Sequence, residues 1–69
     1  MNKFEEMLIT VLAKRNNVEW NDINIKKYTH TSEGVQIHYE IWYEQSKNWG
    51  PDIAWIWISE LIEQQFNNK

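Results

Sequence analysis

From Val35 to Glu44 the chain alternates without a break. Val35, Ile37, Tyr39, Ile41 and Tyr43 take one parity, and Gln36, His38, Glu40, Trp42 and Glu44 the other. Strand side chains alternate between faces with a period of two, so this run predicts a β-strand with one apolar and one mixed face. Nothing else in the sequence constrains the fold as strongly, because such a strand needs a partner for its backbone and cover for its apolar side. The partner lies upstream. Ile23 and Ile25 alternate with Asn24 and Lys26, and Thr31-Ser32-Glu33-Gly34 supplies a turn whose glycine could take a positive φ. A three-residue loop over Ser32, Glu33 and Gly34 sets Ile25 across from Ile41 and Ile23 from Tyr43, pairs Lys26 with Glu40, and places Tyr28 opposite His38. A two-residue Glu33-Gly34 turn would set Ile25 against Trp42 and is disfavoured.

Helices supply the cover. At about 100° per residue, Phe4, Met7, Leu8, Val11 and Leu12 share a face, which predicts a helix over Lys3–Arg15 with Asn2 as N-cap. Lys14 and Arg15 suit its carbonyl end, and Asn16-Asn17 is its stop. Gly50-Pro51-Asp52 predicts the start of a second helix from about Pro51 to Phe66, since proline is tolerated at a first helical position. Leu61, Ala54, Ile58, Ile62, Trp55 and Phe66 would be its buried stripe, and Trp55→Ala would then cost about 3–5 kcal/mol. A buried strand over Ile53–Ile58 is the rival reading; it leaves about eight residues for a following helix and is ranked second. The expected architecture is α+β: α-β-β-α, two helices packed on one face of an antiparallel β-hairpin, with room for a short third strand near residues 18–20. Residues 1–69 form one small domain.

A chain of 69 residues buries only about 60% of the surface that its unfolded form exposes, so its stability is expected to be marginal. It has no cysteine, which removes disulfides and thiolate metal sites and leaves association as the usual remedy. The start, with one lysine before two glutamates, does not read as a secretory signal, and the longest apolar run, Ile53 to Ile58, is far below the roughly 20 residues of a membrane helix. A cytoplasmic location is expected. The net charge is −3 with the acids scattered, which disfavours both a polyanion-binding surface and a dense acidic mimic of DNA. The Asn, Ile and Lys content suits an AT-rich genome, such as that of a low-GC bacterium or its phage.

The chain carries no glycine-rich phosphate loop, nucleophile elbow or paired carboxylates with a pocket between them. His30 and His38 are diagonal neighbours in the expected register with Glu40 on the same face, but His-x-Glu on a strand is not a specific metal signal. No catalysis, cofactor, metal or small-molecule substrate is expected. The length and the helix-first, helix-last order resemble double-stranded-RNA-binding domains, which have three strands and basic helix ends; the expected fold departs at both points, and no family is assigned.

What stands out is aromatic and apolar surplus. Tyr28, His38 and Trp42 share the hairpin's outer face, and Ile53, Ile56 and Trp57 fall outside the stripe of the second helix. Trp20 and Trp49 are expected to cap the ends of the core. Aromatic anchors within a polar rim are the composition of protein-binding hot spots. The expectation is a non-enzymatic protein-binding module, a regulatory or inhibitory accessory that occludes a larger protein partner, with homodimerisation through free sheet edges. Single-stranded nucleic-acid binding on the aromatic hairpin face is the second reading, and a purely structural homo-oligomer the third.

Overall fold

The computed structural model describes residues 2–67. Its order is α1 (Lys3–Asn16), a 3-10 turn (Trp20–Asp22), β1 (Ile23–His30), β2 (Gly34–Tyr43), β3 (Asn48–Trp57) and α2 (Ile58–Asn67). The strands form one antiparallel sheet in the order β1-β2-β3. The fold is α+β, with helix first and helix last as expected, but the sheet has three strands.

The first helix forms as its sequence dictates. The Asn2 side chain accepts from the Glu5 N–H at 2.8 Å, and Asn17 ends the helix in the left-handed region (φ 54°, ψ 48°), where asparagine is among the few tolerated residues. The Val18 N–H then closes on the Ala13 carbonyl. Leu8 and Leu12 are wholly buried against Val35, Ile37 and Ile56 of the sheet and Leu61 of α2. Both helices thus contribute to one core on one face of the sheet.

The hairpin exists in neither anticipated register. The turn residues are Ser32 and Glu33, closed by the Thr31 N–H on the Gly34 carbonyl at 2.8 Å, and the Thr31 hydroxyl also accepts from the Gly34 N–H. Gly34 has no positive φ. Its glycine is needed for space: a Cβ there would lie 2.5 Å from the Ile56 carbonyl oxygen and 2.7 Å from the Trp55 ring. Ile23 therefore faces Ile41 and Ile25 faces Tyr39, and Lys26 is an extra residue, a bulge after which Lys27 faces His38 and Tyr28 faces Ile37. One inserted residue reverses the parity of the strand. Tyr28 and His30 consequently turn to the helix side, where both rings meet Phe4 at about 5.5 Å, while His38 stays on the outer face. The diagonal His30–His38 pair is not formed.

The larger correction concerns residues 48–57. They are a strand, not the first half of a helix, and residues 18–20 contribute no strand. Gly34 pairs with Trp57, His38 with Ile53 and Trp42 with Trp49. Only Ile58 onward is helical, which makes α2 short. Its start is held by the Glu60 carboxylate, which accepts from the Trp57 N–H at 2.9 Å, the reach-back half of a capping box. Of the anticipated stripe, Leu61 is core and Ala54 packs against it, whereas Ile58 and Ile62 are exposed and Trp55 belongs to the sheet. The Phe66 side chain lies outside the described part. With three strands, one of the two departures from double-stranded-RNA-binding domains disappears; the other stands, because α2 opens with Ile58-Ser59-Glu60 and has no cation in its first turn.

Candidate functional site: the open face of the sheet

Along β3 the alternation is inverted. Residues sharing the helix side are Gly50, Asp52, Ala54 and Ile56; those on the other face are Trp49, Pro51, Ile53, Trp55 and Trp57. A strand covering a core ordinarily turns its bulk inward. Here only Ile56 does so, and the rest of the bulk forms a ridge on a face that no helix covers.

Ile53 is 58% exposed and Trp57 53%, although the first lies mid-strand and the second beside another tryptophan. Trp55 and Trp57 meet edge to face, with centroids 5.3 Å apart. At the far end Trp49 meets Trp42 of β2 at 5.4 Å in the same manner, and the Trp42 indole N–H donates to Glu44 at 3.1 Å. These edge-to-face pairs fix the rings without hiding them. Trp55 is only partly exposed: its ring lies over Gly34, and its indole N–H is enclosed with no hydrogen-bond partner.

Beside the ridge is a shallow depression of about 620 Å³, lined by Lys26 and Lys27 from β1, His38 to Glu40 from β2 and Pro51 to Ile53 from β3. Lys26 approaches Glu40 at 3.9 Å. Lys27 has no acidic partner among the described residues. The open face thus divides into an aromatic ridge on β3 and a basic corner where β1 passes His38.

The free edge of β3 is guarded at several points. The Ile58 N–H continues the β2–β3 ladder to the Glu33 carbonyl, so even-numbered β3 residues bond to β2 and odd-numbered ones turn their N–H and C=O outward. Pro51 has no N–H to offer, which is why proline is tolerated there. The Ile53 N–H is taken by the Asp52 carboxylate at 2.9 Å, and the Trp57 N–H by Glu60. Arg15 caps the Trp55 carbonyl at 2.8 Å while its other nitrogen holds both Glu60 oxygens at 2.7 and 2.8 Å. Those bonds from Arg15 hold the Glu60 carboxyl below the usual glutamate range, against a smaller opposing effect of burial. On the helix side, burial raises the Tyr39 phenol above its usual value. It receives a bond from Asn16 and donates to Asp52 at 2.9 Å.

Of the residues expected to meet a partner, His38, Trp42, Ile53 and Trp57 share the open face. Ile56 does not: it is 0% exposed, because in a strand it takes the parity opposite to its neighbours. Tyr28 is partly buried on the helix side, turned there by the bulge. Sequence reasoning missed Trp49 and Trp55 as members of this face, and the expected caps are not caps: Trp49 is part of the ridge and Trp20 is 41% exposed on the 3-10 turn. The signal was present as large residues at every second position from 49 to 57. Among the described residues no cluster of three or more His, Asp or Glu side chains could hold a metal ion, and no helix is long and apolar enough to cross a membrane. No protein-family model, no curated protein and no solved structure matches the chain.

Proposed function

We propose that this chain is a non-enzymatic protein-binding module that docks through the open face of its sheet and acts by covering a surface of a larger partner. The inverted alternation of β3 carries the reading. Placing Trp49, Ile53 and Trp57 in water while Gly50 and Ala54 face the helices forgoes apolar burial at about 25 cal/mol per Å², and the return of that area on association is a reason for such a pattern. Tryptophan is the side chain most enriched in binding hot spots, and contiguous apolar surface of this kind marks interaction sites. The proline and the side-chain bonds along the β3 edge disfavour strand addition there and favour docking on the face.

The test is an affinity enrichment from a cytosolic extract in which the wild-type chain is compared with Ile53→Asp and Trp57→Ala, both checked for an unchanged fold by thermal melting. A protein retained by the wild type and released by both variants supports the reading. Retention that ignores both variants contradicts it. A second reading, a stacking platform for single-stranded nucleic acid, is favoured by one observation, the position of Lys27 and His38 beside the tryptophans. It requires quenching of tryptophan fluorescence by short oligonucleotides with an affinity that falls steeply with salt.

A further inference from the structure

The open face offers more than apolar area, because among the described residues one of its lysines, Lys27, has no ion-pair partner. The chain as a whole is acidic, at −3, and the depression beside the ridge gathers Lys26, Lys27 and His38 with two carboxylates, Glu40 and Asp52, of which Asp52 already accepts from the Tyr39 hydroxyl and the Ile53 N–H. Glu40 is already approached by Lys26, which leaves Lys27 as the lysine without an ion-pair partner among the described residues. Its neighbours across the depression, Pro51 and Ile53, are apolar. A site built in this way has room for a side chain, a wall of hydrocarbon and one lysine ammonium that no ion pair engages.

We infer that the partner of this face is a protein segment that seats one acidic side chain in the depression against Lys27, with apolar side chains of the same segment lying along Ile53, Trp55 and Trp57. The inference rests on the protein-binding reading above and adds the chemistry of the partner to it. Charge complementarity selects a single carboxylate over a polyanion. A nucleic-acid strand presents a phosphate at every nucleotide and is held by a track of cations, whereas here one unpaired lysine stands beside one paired lysine, and Glu40 lies between them and the end of the ridge. A carboxylate flanked by apolar groups matches both halves of the face at once. At such a rim position a charge governs orientation and partner choice, while the aromatic ridge supplies the area.

Selection from a random peptide library displayed on phage, run in parallel on the wild-type chain and on Lys27→Glu, tests this. Lys27 is exposed, so the reversal is expected to leave the melting temperature unchanged. The expected result is enrichment on the wild type of peptides with an Asp or Glu next to aromatic or aliphatic residues. Synthetic versions, titrated by tryptophan fluorescence, should bind Lys27→Glu about tenfold or more weakly and Ile53→Asp not measurably, and selection on Lys27→Glu should favour Lys or Arg at the acidic position. Peptides that bind both chains equally but fail on Ile53→Asp would overturn the acidic-partner inference and leave the docking face standing. Binding indifferent to both substitutions, or no enrichment at all, overturns both. Salt-sensitive binding of a single-stranded oligonucleotide, or a second copy of the chain that blocks every peptide, replaces the inferred occupant and overturns the inference.

Discussion

Gly34 shows how one residue can be legible in kind and misread in cause. A glycine after Thr-Ser-Glu suggests a turn with a positive φ, but its φ is negative and what it lacks is a Cβ that would strike the Ile56 carbonyl and the Trp55 ring. Gly34→Ala is therefore expected to cost about 1–3 kcal/mol, as overpacking does, and to raise Trp55 from the sheet. Urea unfolding would report the loss, and a red-shifted tryptophan emission the displaced ring. Trp55 itself, placed mid-core by a helical reading, rests on Gly34, meets Trp57 edge-on and stays partly exposed on the open face. Its replacement by alanine should cost about 2 kcal/mol, short of the 3–5 that a wholly buried aromatic would lose, and the folded state should survive. An unfolded Trp55→Ala chain would contradict this placement. Neither outcome could be read from composition, because both depend on which ring lies over which backbone.

Among the elements, α1 and the hairpin strands were legible because each has its full apolar complement on one face, the condition under which periodicity works. The register was not, since the bulge at Lys26 changes parity without any glycine to announce it. The element misassigned was β3. Its alternation is intact but runs with small residues inward, and Gly50-Pro51-Asp52 is equally compatible with a helix start and with an edge strand whose proline nitrogen faces outward. The candidate site followed the same division: His38 and Trp42 were found from the alternation of β2, Ile53 and Trp57 were named as residues outside the stripe of a helix that does not form, and Tyr28 and Ile56 were misplaced by the bulge and by the helix assignment. The junction of β3 with α2 gives an element-level prediction. Arg15→Ala should cost about 1 kcal/mol for a partly exposed ion pair and one carbonyl bond, and should make the chain prone to strand-mediated association, detectable by light scattering. Because the Glu60 carboxyl lies below its ordinary value when folded, its contribution is complete above the ordinary glutamate range and is lost as pH falls through the lowered folded value. Glu60→Gln should be less stable at neutral pH and should lose less on acidification, a difference that urea melts at neutral and acid pH would resolve.

At the scale of the whole molecule, a two-layer domain has one layer too few to cover its sheet. Trp57→Ala and Ile53→Asp remove exposed side chains, so each should change stability by about 1 kcal/mol or less while weakening association. The wild-type chain is expected to self-associate weakly at high micromolar concentration through this face, and Ile53→Asp to sediment as a monomer there; equal sedimentation of the two would exclude the ridge as the contact. The clamp from Arg15 to Glu60 also bears on how one copy of the chain meets another. The residues that guard the β3 edge come from α1, from β3 itself and from α2, and without α2 the Trp57 N–H loses its acceptor and Arg15 loses the carboxylate that holds it against the Trp55 carbonyl. Such an edge is a template for another chain. The segment from Ile58 onward therefore does more than add Leu61 to the core: through Glu60 it holds Arg15 in place and so limits the capture of one copy's β3 edge by another.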